Sequence, residues 1–123
     1  MEKQTEIKWL QEPEEKDYPA AESYLSLLYD TATVKGITGK LKDAPVTRFK
    51  AKDIFRASGL SLLGVSNSHV EKDRRKIADG KPLSPILLAR DERHGKVIIA
   101  DGYHRLCAVY SFAEDESIPC KIV

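Results

Sequence analysis

The segment KVIIADGYHRLCA, residues 96–108, constrains the fold more than any other part of the chain. Residues 97–100 form a β-branched run of strand length, and the Asp101-Gly102 pair breaks that run. From His104 onward the apolar residues recur at helical spacing: Leu106, Val109, Tyr110 and Ala113. The sequence therefore predicts a strand, a glycine turn and a helix in direct succession.

The predicted turn has the chemistry of an anion site. The first N–H groups of a helix lack partners within the helix and carry partial positive charge, and Gly102 lets a ligand approach the backbone. Arg105 can bind two phosphate oxygens at once, and His104 can donate a hydrogen bond or a proton near neutral pH. We expect a phosphate ligand here. The alternative for His104 is a hydrogen-bonded residue of the helix's first turn.

The Asp-Gly-Tyr-His-Arg sequence at 101–105 resembles the phosphate-binding box of the ParB/sulfiredoxin superfamily, which includes the ParB-like nuclease domains. The resemblance extends upstream through KPLSPILL at 81–88 to a helix beginning near Ser68, and downstream to the segment 118–123. It covers roughly the C-terminal half of the chain. It implies a small α+β fold, in which helices cover a mixed sheet, and a box that binds nucleotide phosphates.

Tyr103 separates this chain from the sulfiredoxins, whose nucleophilic cysteine stands immediately before His-Arg. Cys107 follows one helical turn later among small core-facing residues, which is typical of a buried thiol. A sulfinic-acid reductase is therefore excluded. Tyr103 could instead stack on a nucleotide base or pack against the sheet.

Asp101 has three open roles: N-cap of the helix, Mg²⁺ ligand, or base for a substrate hydroxyl. The Asp-Gly-X-His-Arg form of the box looks most like that of free amino-acid kinases. That likeness implies phosphotransfer to a small hydroxyl compound, with Asp101 and His104 as candidate catalytic residues. It also implies a nucleotide cofactor, ATP, ADP or CTP, together with Mg²⁺. Glu71 and Asp53 are candidates for a second catalytic carboxylate.

A second basic cluster lies on the helix predicted over residues 69–78. Ser68 and Glu71 fit a capping box at its start. Three basic side chains share one face of this helix at about 100° per residue: His69, Lys72 and Lys76. They either face the box and bind phosphate, or form a solvated surface that neighbouring acids balance.

The remaining elements follow from apolar spacing and breakers. In the N-terminal half we expect an arm over 1–16, a helix over 18–30 starting after Asp17 as a possible N-cap, and a loop over 31–42. A strand over 46–50, a helix over 52–57 and a loop over 58–66 should follow. In the C-terminal half we expect a hairpin of strands 85–90 and 96–100 and a last strand over 118–123. We divide the chain into residues 1–45, which pack on the domain or on a partner, and residues 46–123, the ParB/sulfiredoxin-like domain. The glycines at 36 and 39 do not form a P-loop, because their spacing is too short.

Composition and net charge limit the cellular compartment and the kinds of binding partner that the chain could have. A net charge of +1 gives no basic footprint for nucleic acid or for an anionic membrane, and no apolar run approaches the ~20 residues that span a bilayer. The two cysteines make neither a disulfide framework nor a zinc site, and no metal-ligand spacing is present. We therefore expect a cytoplasmic protein with no metal site of its own.

Two alternatives to a nucleotide-dependent phosphotransferase stay open. The first is a DNA-associated ParB-like protein, which we disfavour because no helix-turn-helix pattern is visible and the box lacks the acidic residue of partition proteins. The second is a non-catalytic interaction protein that a nucleotide switches. Under any of these three functions, a homodimer is possible.

Overall fold

A four-stranded mixed sheet organises the molecule. In the computed structural model, which describes residues 6–61 and 67–123, the strands are β1 (Thr47–Lys50), β2 (Ile86–Asp91), β3 (Lys96–Asp101) and β4 (Ser117–Ile122). Their order is β1-β4-β2-β3. Strand β4 pairs antiparallel with β1 and parallel with β2, whereas β2 and β3 form an antiparallel hairpin. The expected α+β class is confirmed.

Five helices in the described residues cover both faces of this sheet: α1 (Asp17–Leu25), α2 (Thr31–Asp43), α3 (Ala51–Ser58), α4 (Ser68–Ala78) and α5 (Tyr103–Phe112). The buried side chains of β2 point alternately to the two faces of the sheet, so helices must cover both faces. Ile86 and Leu88 belong to the core under α3, α4 and α5, whereas Leu87 belongs to the core under α1 and α2. Within residues 6–61 and 67–123, every helix is too short or too polar to cross a bilayer.

Residues 31–42 lie in helix α2, so the loop expected there is wrong. Asp30 caps this helix, because its Oδ1 accepts a hydrogen bond of 2.8 Å from the Thr33 N–H. Three side chains of α2 are buried at helical spacing: Val34, Thr38 and Leu41. Gly36 and Gly39 have low helix propensity, but packing of the buried side chains outweighs it.

Two other helix boundaries differ from the expectation. The helix predicted over 18–30 ends at Leu25, and the next residues turn the chain into α2. At the start of α4, Asn67 rather than Ser68 is the N-cap. The Asn67 Oδ1 accepts from the backbone N–H groups two and three residues later, at 3.0 and 3.3 Å. The expected loop over 58–66 lies partly outside the described residues.

The N-terminal segment packs on the rest of the chain. The N–H of Leu83 donates to the Lys8 carbonyl, and the N–H of Leu10 donates to the Leu83 carbonyl, each at 2.8 Å. On the face of the sheet that α1 and α2 cover, the buried Lys121 Nζ donates to the Lys42 carbonyl at 2.9 Å. The two bonds of Leu83 hold the segment just before β2, which borders the cleft described next.

Candidate functional site

The turn between β3 and α5 consists of one residue. Gly102 has a φ of +111°, a region that residues with a Cβ rarely adopt. A Cβ at this position would lie 2.8 Å from Nη2 of Arg105 and 2.8 Å from Cγ1 of Ile86. Because Gly102 is itself the N-cap residue, the N-cap role considered for Asp101 is wrong. The Asp101 carboxylate is instead directed to Arg105.

A cleft of about 320 Å³ opens over the first turn of α5. Its other walls come from α4, from the segment before β2 and from the start of α1. All eight residues predicted from the sequence line it: Asp101, Gly102, Tyr103, His104, Arg105, His69, Lys72 and Lys76. Seven more line it that the sequence did not indicate: Glu14, Lys16, Asp17, Asp73, Pro82, Leu83 and Ser84. The basic face of α4 is therefore turned toward the box.

Arg105 is held by two carboxylates at the base of this cleft. Its Nη2 lies 2.7 Å from Oδ2 of Asp101, and its Nη1 lies 3.6 Å from Oδ2 of Asp17. Only 13% of the Arg105 side chain is exposed. We expected the Arg105 guanidinium to bind two phosphate oxygens, but it pairs with the carboxylates of Asp101 and Asp17 instead. Arg105 therefore holds residues of the cleft in place.

Asp17 is the site residue that sequence reasoning missed. Its Oδ2 accepts from the Glu14 N–H at 2.9 Å and from the Ser84 hydroxyl. Its own N–H donates to the Glu14 carbonyl at 2.9 Å, so the two residues bond reciprocally, as in a capping box. The position before a helix suggested an N-cap, but Lys16 is the N-cap of α1. No local pattern signals that Asp17 meets Arg105.

The Asp101 carboxyl has an altered affinity for protons. Burial raises its pKa, Arg105 opposes that effect and the Asp17 carboxylate adds to it, and the net result is a pKa of about 6. A carboxyl with a pKa near 6 is largely ionised at neutral pH but accepts a proton more readily than an ordinary aspartate. This is the property that a general base requires.

Two imidazole rings meet in the cleft at the starts of two helices. The ring centroids of His69, in the first turn of α4, and His104, in the first turn of α5, are 4.8 Å apart. Burial lowers the pKa of His104, His69 lowers it further, and Asp73 opposes this. His104 is therefore mostly neutral at neutral pH, with one ring N–H to donate.

Tyr103 packs partly on the core rather than standing free in the cleft. Its hydroxyl donates to the Ser61 carbonyl, and its ring lies edge-on to His104 with a centroid distance of 5.8 Å. Cys107, one turn further along α5, is fully buried. The box at 101–105 therefore presents no accessible thiol.

Four acids line the cleft: Glu14, Asp17, Asp73 and Asp101. Within residues 6–61 and 67–123 no group of three or more acids, histidines or cysteines could hold a metal ion. Asp17 and Asp101 are both paired with Arg105, so an Mg²⁺ in this cleft would be held by the phosphate oxygens that it accompanies rather than by these two carboxylates.

The two acids expected as second catalytic carboxylates do not line the cleft. Glu71 lies near Arg74 and Arg75 on α4, at 4.0 and 3.6 Å. Asp53 borders a small apolar cavity beside α3. The acid beside Asp101 in the cleft is instead Asp17, and both carboxylates approach Arg105.

No protein-family model matches this chain, and neither a curated protein nor a solved structure does. The resemblance of the 101–105 box to the ParB/sulfiredoxin superfamily therefore stays a prediction. In the structure, this box and the basic face of α4 line one cleft.

Proposed function

We propose that the cleft binds the phosphate chain of a nucleotide accompanied by Mg²⁺, as the resemblance to the ParB/sulfiredoxin superfamily implies. One observation carries the proposal: the box at 101–105 and three basic residues of α4, separated by some 30 residues of chain, line the same cleft at a helix N-terminus. Its volume of about 320 Å³ suits part of a nucleotide, since ligand pockets run from roughly 300 to 1,000 Å³.

The cationic groups of the cleft divide into two sets. Lys72 and Lys76 line the cleft and can bind phosphate oxygens there, together with the first backbone N–H groups of α5 and the ring N–H of His104. Arg105 is already paired with acids, so we assign it to the base of the cleft. Such positioning and charge neutralisation supply most of the catalysis in phosphoryl transfer.

The sharpest enzymatic form of the proposal is transfer of a terminal phosphoryl group to a small hydroxyl compound. The acceptor oxygen attacks the terminal phosphorus, and the bond from that phosphorus to the bridging oxygen breaks. The nucleoside diphosphate leaves with the electron pair. Asp101 takes the hydroxyl proton, for which its pKa of about 6 is suited.

A second candidate is a nucleotide-switched interaction protein. Around the end of α1 three large apolar side chains are exposed, Tyr24, Leu27 and Leu28, and Leu27 is 80% exposed. Exposed apolar groups of this kind are typical of a surface that a partner covers.

For either candidate we propose the cytoplasm, because the two cysteines are present as buried thiols rather than a disulfide.

Calorimetry and thermal shift with ATP, ADP, CTP and GTP, each with and without Mg²⁺, test the proposal. A nucleotide at 100 times its dissociation constant should stabilise the protein by about 2.7 kcal/mol.

Lys72→Gln should weaken nucleotide binding about tenfold by removing one phosphate contact. Arg75→Gln is the matched control, because it makes the same charge change on α4 outside the cleft. Its affinity should equal that of the native protein.

The outcomes separate the candidates. Binding with transfer of phosphate to a hydroxyl compound supports the enzyme, and binding without transfer to any of a panel of acceptors supports the switch. Duplex DNA belongs in the same screen, because the ParB-type alternative requires it to bind. If no nucleotide shifts the midpoint, or if both variants lose affinity equally, the cleft is not the phosphate site.

A further inference from the structure

Asp17 is a buried acid of the cleft to which the proposed function gives no role. Its residue is 5% exposed, and the Ser84 hydroxyl and the Glu14 N–H both donate to its Oδ2. The same oxygen faces Nη1 of Arg105 at 3.6 Å. An aspartate is rarely buried unless its charge is paired.

Two acids share one guanidinium here, and they are not equivalent. Asp101 makes the shorter contact to Arg105, at 2.7 Å, whereas Asp17 approaches at 3.6 Å from the start of α1 and is also bonded to Glu14 and Ser84. The guanidinium thus bridges α1 and the end of β3. Moving Asp17 would free one arm of Arg105 and change the field at Asp101.

We infer that Asp17 is a positioning residue of this site, which together with Arg105 fixes the Asp101 carboxylate where an acceptor hydroxyl would meet it. The inference rests on the proposed function for the hydroxyl, whereas the contacts among the three side chains stand without it. Helix α1 is therefore part of the site and not merely a cover for the sheet.

Because Asp17 is charged, its positioning role can be tested in the ligand-free protein through the pKa of Asp101. The charged groups that act on Asp101 are Arg105 from α5 and Asp17 from α1, and Asp17 raises the pKa of Asp101. Asp17→Asn keeps an oxygen that can accept from Glu14 and Ser84 but removes the charge. We therefore expect the Asp101 pKa to fall below the native value of about 6.

Carboxyl-carbon NMR titration of Asp101 measures this pKa in the native protein and three variants. Asp17→Glu keeps the charge while disturbing the packing, so its Asp101 pKa should stay close to the native value. Glu22→Gln makes the same neutralisation on α1 at a surface ion pair with Lys35, 3.1 Å apart, and should also leave Asp101 unchanged.

Two results would overturn the inference: an unchanged Asp101 pKa in Asp17→Asn, or an equal fall in Asp17→Glu, which would point to loosened packing alone. Should Asp17→Asn not fold, the smaller neutral variant Asp17→Ser carries the same test. Because the titration contains no nucleotide, a failure of nucleotide binding overturns the proposed function and leaves this result standing.

Discussion

Arg105 pairs with two acids that would otherwise face each other in a mostly buried space. We expect Arg105→Ala to destabilise the protein by about 3–5 kcal/mol at pH 8, because removing one partner leaves buried charge unpaired. The loss should be smaller at pH 5, where Asp101, with a pKa of about 6, is largely protonated. Urea unfolding at the two pH values measures this.

Arg75→Ala is the control for that experiment, because 78% of the Arg75 side chain is exposed and it pairs only at the surface. It should change stability by less than about 0.5 kcal/mol at either pH. A loss in Arg105→Ala that is the same at pH 5 and pH 8 would contradict the charge argument.

Asp101 should make stability depend on pH in a definite direction. Its folded-state pKa of about 6 lies above the ordinary 3.8, so between these values the folded protein holds a proton that the unfolded chain has released. Its contribution is present below about pH 4 and is lost as pH rises through about 6.

Asp101→Asn isolates this contribution, because the amide mimics the neutral acid and does not titrate. Relative to the native protein, the variant should gain stability as pH rises from 4 to 6, with little further change above 7. Unfolding free energies at steps of half a pH unit provide the comparison. A difference independent of pH would show that Asp101 has an ordinary pKa.

Gly102 is constrained both by backbone conformation and by space. Gly102→Ala should cost about 1–2 kcal/mol for the positive φ, and more for the close approach to Arg105 and Ile86. Gly95→Ala is the matched control: Gly95 has a φ of +62°, but a Cβ there would meet nothing within 4 Å. Denaturant unfolding should find Gly102→Ala clearly the less stable of the two. Equal losses would remove the steric part of the explanation.

At the scale of elements, the sequence predicts best where the signal is local. The strand, glycine turn and helix from residue 97 onward follow from a β-branched run, one glycine and an apolar stripe, and all three form as predicted. The eight cleft residues were found because each belongs to such a local pattern. Asp17 was missed, because its role depends on tertiary contacts with residues distant in sequence.

Helix α2 could not be predicted for the same reason. It has two glycines and three buried residues, so its stability comes from packing rather than propensity. Gly39→Ala should therefore stabilise the protein by about 0.5–1 kcal/mol, since an added Cβ meets nothing within 4 Å and the unfolded chain loses freedom. Thermal unfolding measures the gain. A loss of stability would show that residue 39 is not in an ordinary helix interior.

At the scale of the whole molecule, the two faces of the sheet depend on different halves of the chain. Helices α1 and α2 cover Leu87 and Ala100, which are 0% and 3% exposed, and the Lys121 amine lies beneath the same cover. We expect residues 46–123 alone not to unfold cooperatively, because this face would be open to water. Circular dichroism during urea unfolding tests the prediction.

A cooperative transition in that fragment would mean that residues 1–45 are dispensable for the fold. If the prediction holds, deleting the N-terminal segment cannot separate partner binding from nucleotide binding. The substitution Leu27→Ser can separate partner binding from nucleotide binding, because Leu27 is exposed and its replacement should leave the stability within about 0.5 kcal/mol of native.

The position of β4 in the sheet has a consequence for how the chain is made. Cys120 of β4 lies opposite Thr47 of β1 on one side and Ile86 of β2 on the other, so residues 117–122 join both halves of the sheet. As the chain leaves the ribosome, β1 emerges long before β4, and among the four strands of the described sheet β2–β3 is the one pair that forms without β4. Assembly therefore waits for contacts between distant parts of the chain, which makes folding slow. During that interval β1 is an unpaired edge, and the nascent chain is at its most prone to aggregate.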